Sequence, residues 1–314
     1  MLNKITQAPH LHTNIMHNGL FCLLTKGNKH LFLSFEIQMR KLTITFFIIT
    51  VLWGCSNKYQ KTLKNPDVNK KLELAQYYYN KKDFYRASTL FEQIQGGFSG
   101  TSTSEKVMYY SAYCNYGLHS NTLAGYQFKT YYENFPTGQW AEECLYMYAY
   151  CLYLESQAWY LDQTDTYKAL EAIRLFVSVY PESKYIAECN VQLDKLRAKL
   201  AYKAYRNAKL YYHTTEYKSA IVALQNVIKD YPEIPQKEEL DYLTVKSYYL
   251  LADNSIEDKK LVRYEDAFKQ LQIFNAEYPE SKYLNDLKKG NYKSESAYRK
   301  LKSKTQVKKE EQKS

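Results

Sequence analysis

Few side chains in this sequence have the type and spacing that break or make bonds. Four of its six histidines (His10, His12, His17 and His30) precede residue 39, and the other two, His119 and His213, are far apart in the chain. There is no His-Glu-x-x-His, no Cys-x-x-Cys and no Gly-rich loop closing on Lys-Ser/Thr, so zinc hydrolysis, dithiol redox and phosphate cradling have no motif to rest on. Gly97-Phe98-Ser99-Gly100 lacks the final glycine of a nucleophile elbow. Cys144 and Cys151 are seven apart on one expected helix, about 10.5 Å along its axis and beyond the ~7 Å limit for a disulfide. With Cys114 and Cys189 they read as small buried hydrophobes. The chain reads as a non-enzyme with no metal and no cofactor apart from a covalent lipid.

That lipid is expected on Cys55. From Met39 the sequence runs Met39-Arg40-Lys41, then an apolar stretch from Leu42 to Trp53, then Gly54-Cys55. A cationic start, a short apolar run and a small residue form a secretory signal. As a helix the run reaches about 18 Å, short of the ~30 Å hydrocarbon core, which disfavours a permanent span. Leu52-Trp53-Gly54-Cys55 resembles the bacterial lipobox, with Trp53 bulkier than usual at its place. The resemblance implies diacylglycerol on the Cys55 sulfur and signal cleavage between Gly54 and Cys55. Residues 39–54 are then the lipoprotein signal peptide, 1–38 an upstream extension with no fold, and 55–69 a linker.

The formal charge of +10 points toward nucleic acid only until it is located. Residues 1–54 carry +4 and residues 290–314 carry +5, which leaves +1 on 55–289. A near-neutral body offers no basic face to track phosphates, so nucleic acid is not an expected partner. The segment 290–314 alternates Lys, Ser, Glu and Gln with few apolar residues and reads as a disordered basic tail.

Ten Gly and seven Pro in 314 residues are too few for a many-turned β fold, and helices are expected. One pattern recurs five times over 70–289: a small residue, an apolar residue four on, another three further, and usually a proline five beyond. The instances are Ala87-Phe91-Ile94, Ala124-Phe128-Tyr131-Pro136, Ala169-Ile173-Phe176-Pro181, Ala220-Leu224-Val227-Pro232 and Ala267-Leu271-Phe274-Pro279. Steps of four and three hold one helical face toward a neighbour, and proline then ends the helix. Each instance is the second helix of a pair. Ala75, Ala112 and Ala208 stand twelve residues before their partners on the first helices.

The pattern matches tetratricopeptide repeats of 34 residues, so the expected fold is an all-α superhelix of five helix pairs. Ser183 to His213 lacks Gly and Pro and carries Ile186, Val191, Leu193, Leu196 and Leu200, which predicts one long helix linking repeats three and four. By register with the repeat, Tyr79, Tyr109, Tyr113, Tyr116, Tyr146, Tyr150 and Tyr153 fall on the groove side of first helices. Rigid amphipathic rings there would suit peptide capture, and filling of inter-repeat space is the competing reading.

A lipidated cysteine followed by these repeats is similar to the BamD family of outer-membrane β-barrel assembly lipoproteins. The likeness rests on Asp162 to Ala172, Tyr180-Pro-Glu-Ser-Lys-Tyr185, the Gln192 to Leu200 helix and Lys229-Asp-Tyr-Pro232. It implies a protein anchored by lipid to the outer membrane and facing the periplasm. Its implied partners are the periplasmic domains of the barrel-forming subunit, bound by later repeats, and unfolded outer-membrane proteins, received near earlier ones. A generic periplasmic scaffold for envelope or peptidoglycan processes is a second reading. A glycan-binding lipoprotein of the starch-utilisation type is a third, but it would need a longer insert between repeats than any present.

Overall fold

The computed structural model describes residues 58–98 and 100–311. The upstream extension, the signal and the Gly54–Cys55 junction therefore lie outside the described residues. The chain divides into two compact units, split after Gly97. Among the described residues every regular element is a helix, as the proline-punctuated pattern requires.

The first unit holds α1 (Val68–Asn80) and α2 (Phe84–Ile94), followed by a 3₁₀ turn, Gln95–Phe98. Asp67 caps α1 by accepting the Asn69 and Lys70 amides at 3.0 and 3.3 Å, and Asp83 caps α2 by accepting the Arg86 amide at 3.2 Å. Ala75 and Ala87 are both fully buried, as the repeat register demands. The expected linker is partly structured: 58–63 is helical, and Tyr59 is buried edge-on to Tyr78 at 5.6 Å. The Arg86 guanidinium covers both rings at 5.6 and 5.4 Å. A largely polar turn with one aromatic near its start had a place to dock, which polar composition alone concealed.

The second unit runs through α3 (Ser102–Gly117), α4 (Asn121–Asn134), α5 (Ala141–Glu155), α6 (Thr164–Val179), α7 (Ile186–His213), α8 (Tyr217–Asp230), α9 (Lys237–Asp253), α10 (Glu257–Glu277) and α11 (Leu284–Glu311). Consecutive helices pack on one another, and α9 also meets α11. Ala112, Ala124, Ala169, Ala220 and Ala267 have no exposed surface, and Ala208 is 1% exposed. Beneath them Phe128, Tyr131, Ile173, Phe176, Leu196, Leu224 and Phe274 are buried. Each such large side chain contributes about 1.5–3 kcal/mol against the unfolded chain.

The sequence Phe-Pro or Tyr-Pro closes four second helices. Phe135, Tyr180, Tyr231 and Tyr278 cap α4, α6, α8 and α10 with φ between −124 and −135°, the extended backbone a following proline imposes. The turns inside three pairs pass through left-handed residues: Lys82, His119 and Thr215, with φ of 59, 58 and 64°. One of the two body histidines thus serves as a turn residue.

Two expectations are corrected. The long helix α7 forms with Leu196 and Leu200 buried as expected and Ile186 and Leu193 half-buried, but Val191 is half exposed; Cys189 and Gln192 complete the buried stripe in its place. The segment after Gly290 is not disordered where it is described, because α11 continues through it to Glu311. Leu287 and Ser294 are buried, and the Tyr298 hydroxyl donates to Glu265 at 3.0 Å. Lys, Arg, Gln and Glu are good helix formers, so a few anchors suffice to propagate a helix that composition alone reads as unfolded.

Candidate functional site: an aromatic face on first helices

Tyr109, Tyr113 and Tyr116 are spaced i, i+4, i+7 on α3, and Tyr146, Tyr150 and Tyr153 repeat that spacing on α5, so each trio shares one helical side. The trios join. Tyr109 lies 4.8 Å from Tyr113, Tyr113 6.4 Å from Tyr116, Tyr116 6.3 Å from Tyr150, and Tyr150 6.0 and 6.1 Å from Tyr146 and Tyr153. Six of the seven candidate rings thus form one relay. Five are half-buried; Tyr146, 6% exposed, is core and supports the face without lining it. Tyr79 lies in the first unit, half-buried and edge-on to Phe84 at 5.9 Å.

Hydroxyls hold the rings at fixed heights. Tyr109 donates to Glu143 at 3.1 Å and Tyr113 donates to the same carboxylate oxygen, tying α3 to the start of α5. One turn away, buried Tyr131 donates to Glu105, which also accepts the Gln139 amide at 2.8 Å. Gly138 leaves the room for this: a Cβ there would lie 2.5 Å from the Glu105 oxygen. Burial, then the Glu143 hydrogen bond, drives the Tyr113 phenol far above its usual range; burial and Glu105 do the same for Tyr131. These phenols stay protonated and donate to the carboxylates, and the Tyr131 oxygen also accepts the Trp140 amide at 3.3 Å.

A second aromatic set, invisible to the register count, stacks on three of the first-helix tyrosines. Tyr109 stacks on Trp140 at 4.7 Å, Tyr146 on Tyr185 at 4.1 Å and Tyr242 on Tyr283 at 4.2 Å. Trp140 and Tyr185 are the residues preceding α5 and α7, and Tyr283 immediately precedes α11. Aromatics just before a first helix are the signal that could have found them. In the later pairs a lysine replaces the second tyrosine. Tyr205 and Lys209 bind Glu239 at 3.0 and 2.6 Å, and Tyr242 and Lys246 bind Asp286 at 2.7 and 3.0 Å. The early clips are wholly aromatic and the later ones charged.

Beside the Glu143 clip an open cavity of about 610 Å³ is lined by Glu142, Glu143, Tyr180, Pro181 and Tyr185 among others. A smaller one, about 350 Å³, lies against Ala198, Ala201, Tyr202, Tyr231 and Ile234. Cys114, Cys144, Cys151 and Cys189 are free and buried. Burial pushes the Cys114 and Cys151 thiols up to about 12 and Cys189 to about 11, and raises Cys144 as well. Thiols so shifted are packing groups, not nucleophiles. Among the described residues no three His, Cys, Asp or Glu could hold a metal ion, and no helix is long and apolar enough to cross a membrane.

The YfiO family model, described as an outer membrane lipoprotein, matches residues 66–261 and 204–291. Outer membrane protein assembly factor BamD of Rickettsia prowazekii (strain Madrid E) is 23% identical over 144 residues, 44% of this chain and 53% of that relative. The chain spans about half the length of that curated relative. Among solved structures, the TPR2AB-domain:pHSP90 complex of yeast Sti1 aligns over 73% of this chain and 98% of its own at 12% identity, with a TM-score of 0.34. A computationally designed self-assembling cyclic homo-oligomer aligns over 82% and 97% at 15% identity, with a TM-score of 0.16. The family match covers well over half of the chain, on the helices that carry the aromatic face, and agrees with the likeness its residues suggested: the chain belongs to the YfiO family of BamD-like outer membrane lipoproteins.

Proposed function

We propose that this protein is a non-catalytic, lipid-anchored component of outer-membrane protein assembly. In this reading acylated Cys55 holds it to the outer membrane facing the periplasm. The half-buried rings of α3 and α5 receive extended segments of unfolded barrel precursors, and the charged later pairs, α7 to α10, dock the periplasmic domains of the barrel-forming subunit. The observation that carries the reading is the continuous ring relay from Trp140 through Tyr109, Tyr113, Tyr116 and Tyr150 to Tyr153. Rings already fixed by stacking and by Glu143 lose little entropy on meeting a partner. The family and the BamD relative support the assembly role.

Crosslinking in native membranes followed by identification of captured proteins tests it. Photo-crosslinkers at Tyr116 and Tyr153 should trap barrel precursors, while crosslinkers on α9 should trap the barrel-forming subunit. Capture of glycan-processing or division proteins at both positions would favour the generic scaffold. Mass spectrometry of the membrane fraction should find Cys55 as an acylated amino terminus; an unmodified Cys55 there would remove the anchor from the account.

A further inference from the structure

The distal half of α11 is rich in cations. From Arg299 to Lys309 the sequence holds Arg299, Lys300, Lys302, Lys304, Lys308 and Lys309 and no acidic residue. Arg299 is paired with Glu295 at 2.6 Å. Lys300, Lys302 and Lys304 are exposed, Lys302 rests over the Tyr298 ring at 5.5 Å, and no carboxylate among the described residues forms an ion pair with any of the three. Like charges three or four apart on a helix repel, as at Arg299/Lys302 and Lys300/Lys304. The segment is helical despite this repulsion, extending past its anchors at Leu287, Ser294 and Tyr298.

We propose that this segment is an electrostatic docking surface for anionic phospholipid headgroups, holding the chain to the bilayer at a second point. Two features select lipid as the occupant. The cations are spread around the helix, since Lys300, Lys302 and Lys304 advance by about 200° each. Such an unshaped charge suits a planar field of phosphates better than a shaped protein pocket. Leu301 and Val307 are the only sizeable apolar residues from 299 to 309, so the helix can adsorb to headgroups but has no apolar face to insert. A bilayer is at hand for a member of an outer membrane lipoprotein family, and clustered Lys and Arg beside a bilayer are drawn to anionic headgroups.

The test uses the mature chain from Ser56, which lacks both the apolar signal run and the acylation site and leaves α11 intact. It is floated with vesicles of phosphatidylcholine alone or with about one-third phosphatidylglycerol. At low salt the anionic vesicles should retain about tenfold more protein, falling toward the neutral-vesicle level by about 0.5 M NaCl. A variant with Lys300→Gln, Lys302→Gln, Lys304→Gln, Lys308→Gln and Lys309→Gln should bind both vesicles alike while keeping its helical signal. Equal retention of variant and parent on anionic vesicles would overturn the proposal. Salt-insensitive binding of the parent would overturn it even if the variant misfolds. Stronger retention on immobilised polyglutamate than on anionic vesicles at the same salt would assign the surface to an acidic polypeptide instead.

Discussion

At the residue scale, the molecule repeats one polar device with two chemistries. A tyrosine on one first helix and a tyrosine or lysine four residues later converge on a carboxylate of a later first helix: Tyr109 and Tyr113 on Glu143, Tyr205 and Lys209 on Glu239, Tyr242 and Lys246 on Asp286. The lysine versions depend on acid. Burial pushes the Glu239 carboxyl up, but Lys209 and Tyr205 outweigh it and leave it below 4.5; the Tyr242 and Lys246 bonds hold Asp286 below 3.8. A carboxyl lowered on folding stabilises fully above its unfolded value and ceases to do so as pH falls through its folded one. Asp241 acts in the opposite sense: burial raises it despite the Tyr278 hydrogen bond. Replacing Glu239→Gln should therefore cost about 1 kcal/mol at pH 7 and little near pH 3. Urea melts at the two pH values would measure it, and an equal loss at both would show that the carboxylate charge is not what Lys209 holds.

At the element scale, the five alanines that anchor the repeat pattern were legible because a four-then-three spacing ending in proline has few other meanings, and all five are buried. Ala220→Leu should overpack the α7–α8 contact and cost about 1–3 kcal/mol, seen as a melting temperature lower by several degrees. An unchanged melt would mean that the close approach at Ala220 tolerates extra volume. Thr215, β-branched at φ 64° between those helices, is the converse case. Thr215→Gly should stabilise by about 0.5–1 kcal/mol in the same assay, because glycine lacks the Cβ that strains this conformation. Ring placement was legible on α3 and α5 because helical spacing fixes which residues share a side. Tyr146 was not, since its burial comes from Tyr185 stacking at 4.1 Å and Phe176 lying 5.7 Å away, contacts supplied by α6 and by the turn before α7. The helicity of α11 escaped composition because Leu287, Ser294 and Tyr298 anchor it through contacts made across the fold.

At the scale of the whole molecule, chemistry is divided by position along the chain: a lipidation signal expected from the sequence at 39–55, a near-neutral helical body with aromatic clips early and charged clips late, and a cationic distal helix. The central claim is that the early aromatic face is a receiving surface and not mere filling. Tyr116 and Tyr153 test it best, since neither takes part in the Glu143 clip. The measurement is a titration of extended peptides with alternating aromatic residues, taken from barrel strands, onto the parent and onto a Tyr116→Ala, Tyr153→Ala variant whose helical signal and melting behaviour are retained. Each ring contributes about 0.5–1.5 kcal/mol beyond burial, so losing two should weaken binding about tenfold. Tyr109→Phe, which keeps its ring, should bind like the parent. The account predicts this tenfold loss; equal peptide affinity for parent and double variant would contradict it and leave the rings as inter-helix packing.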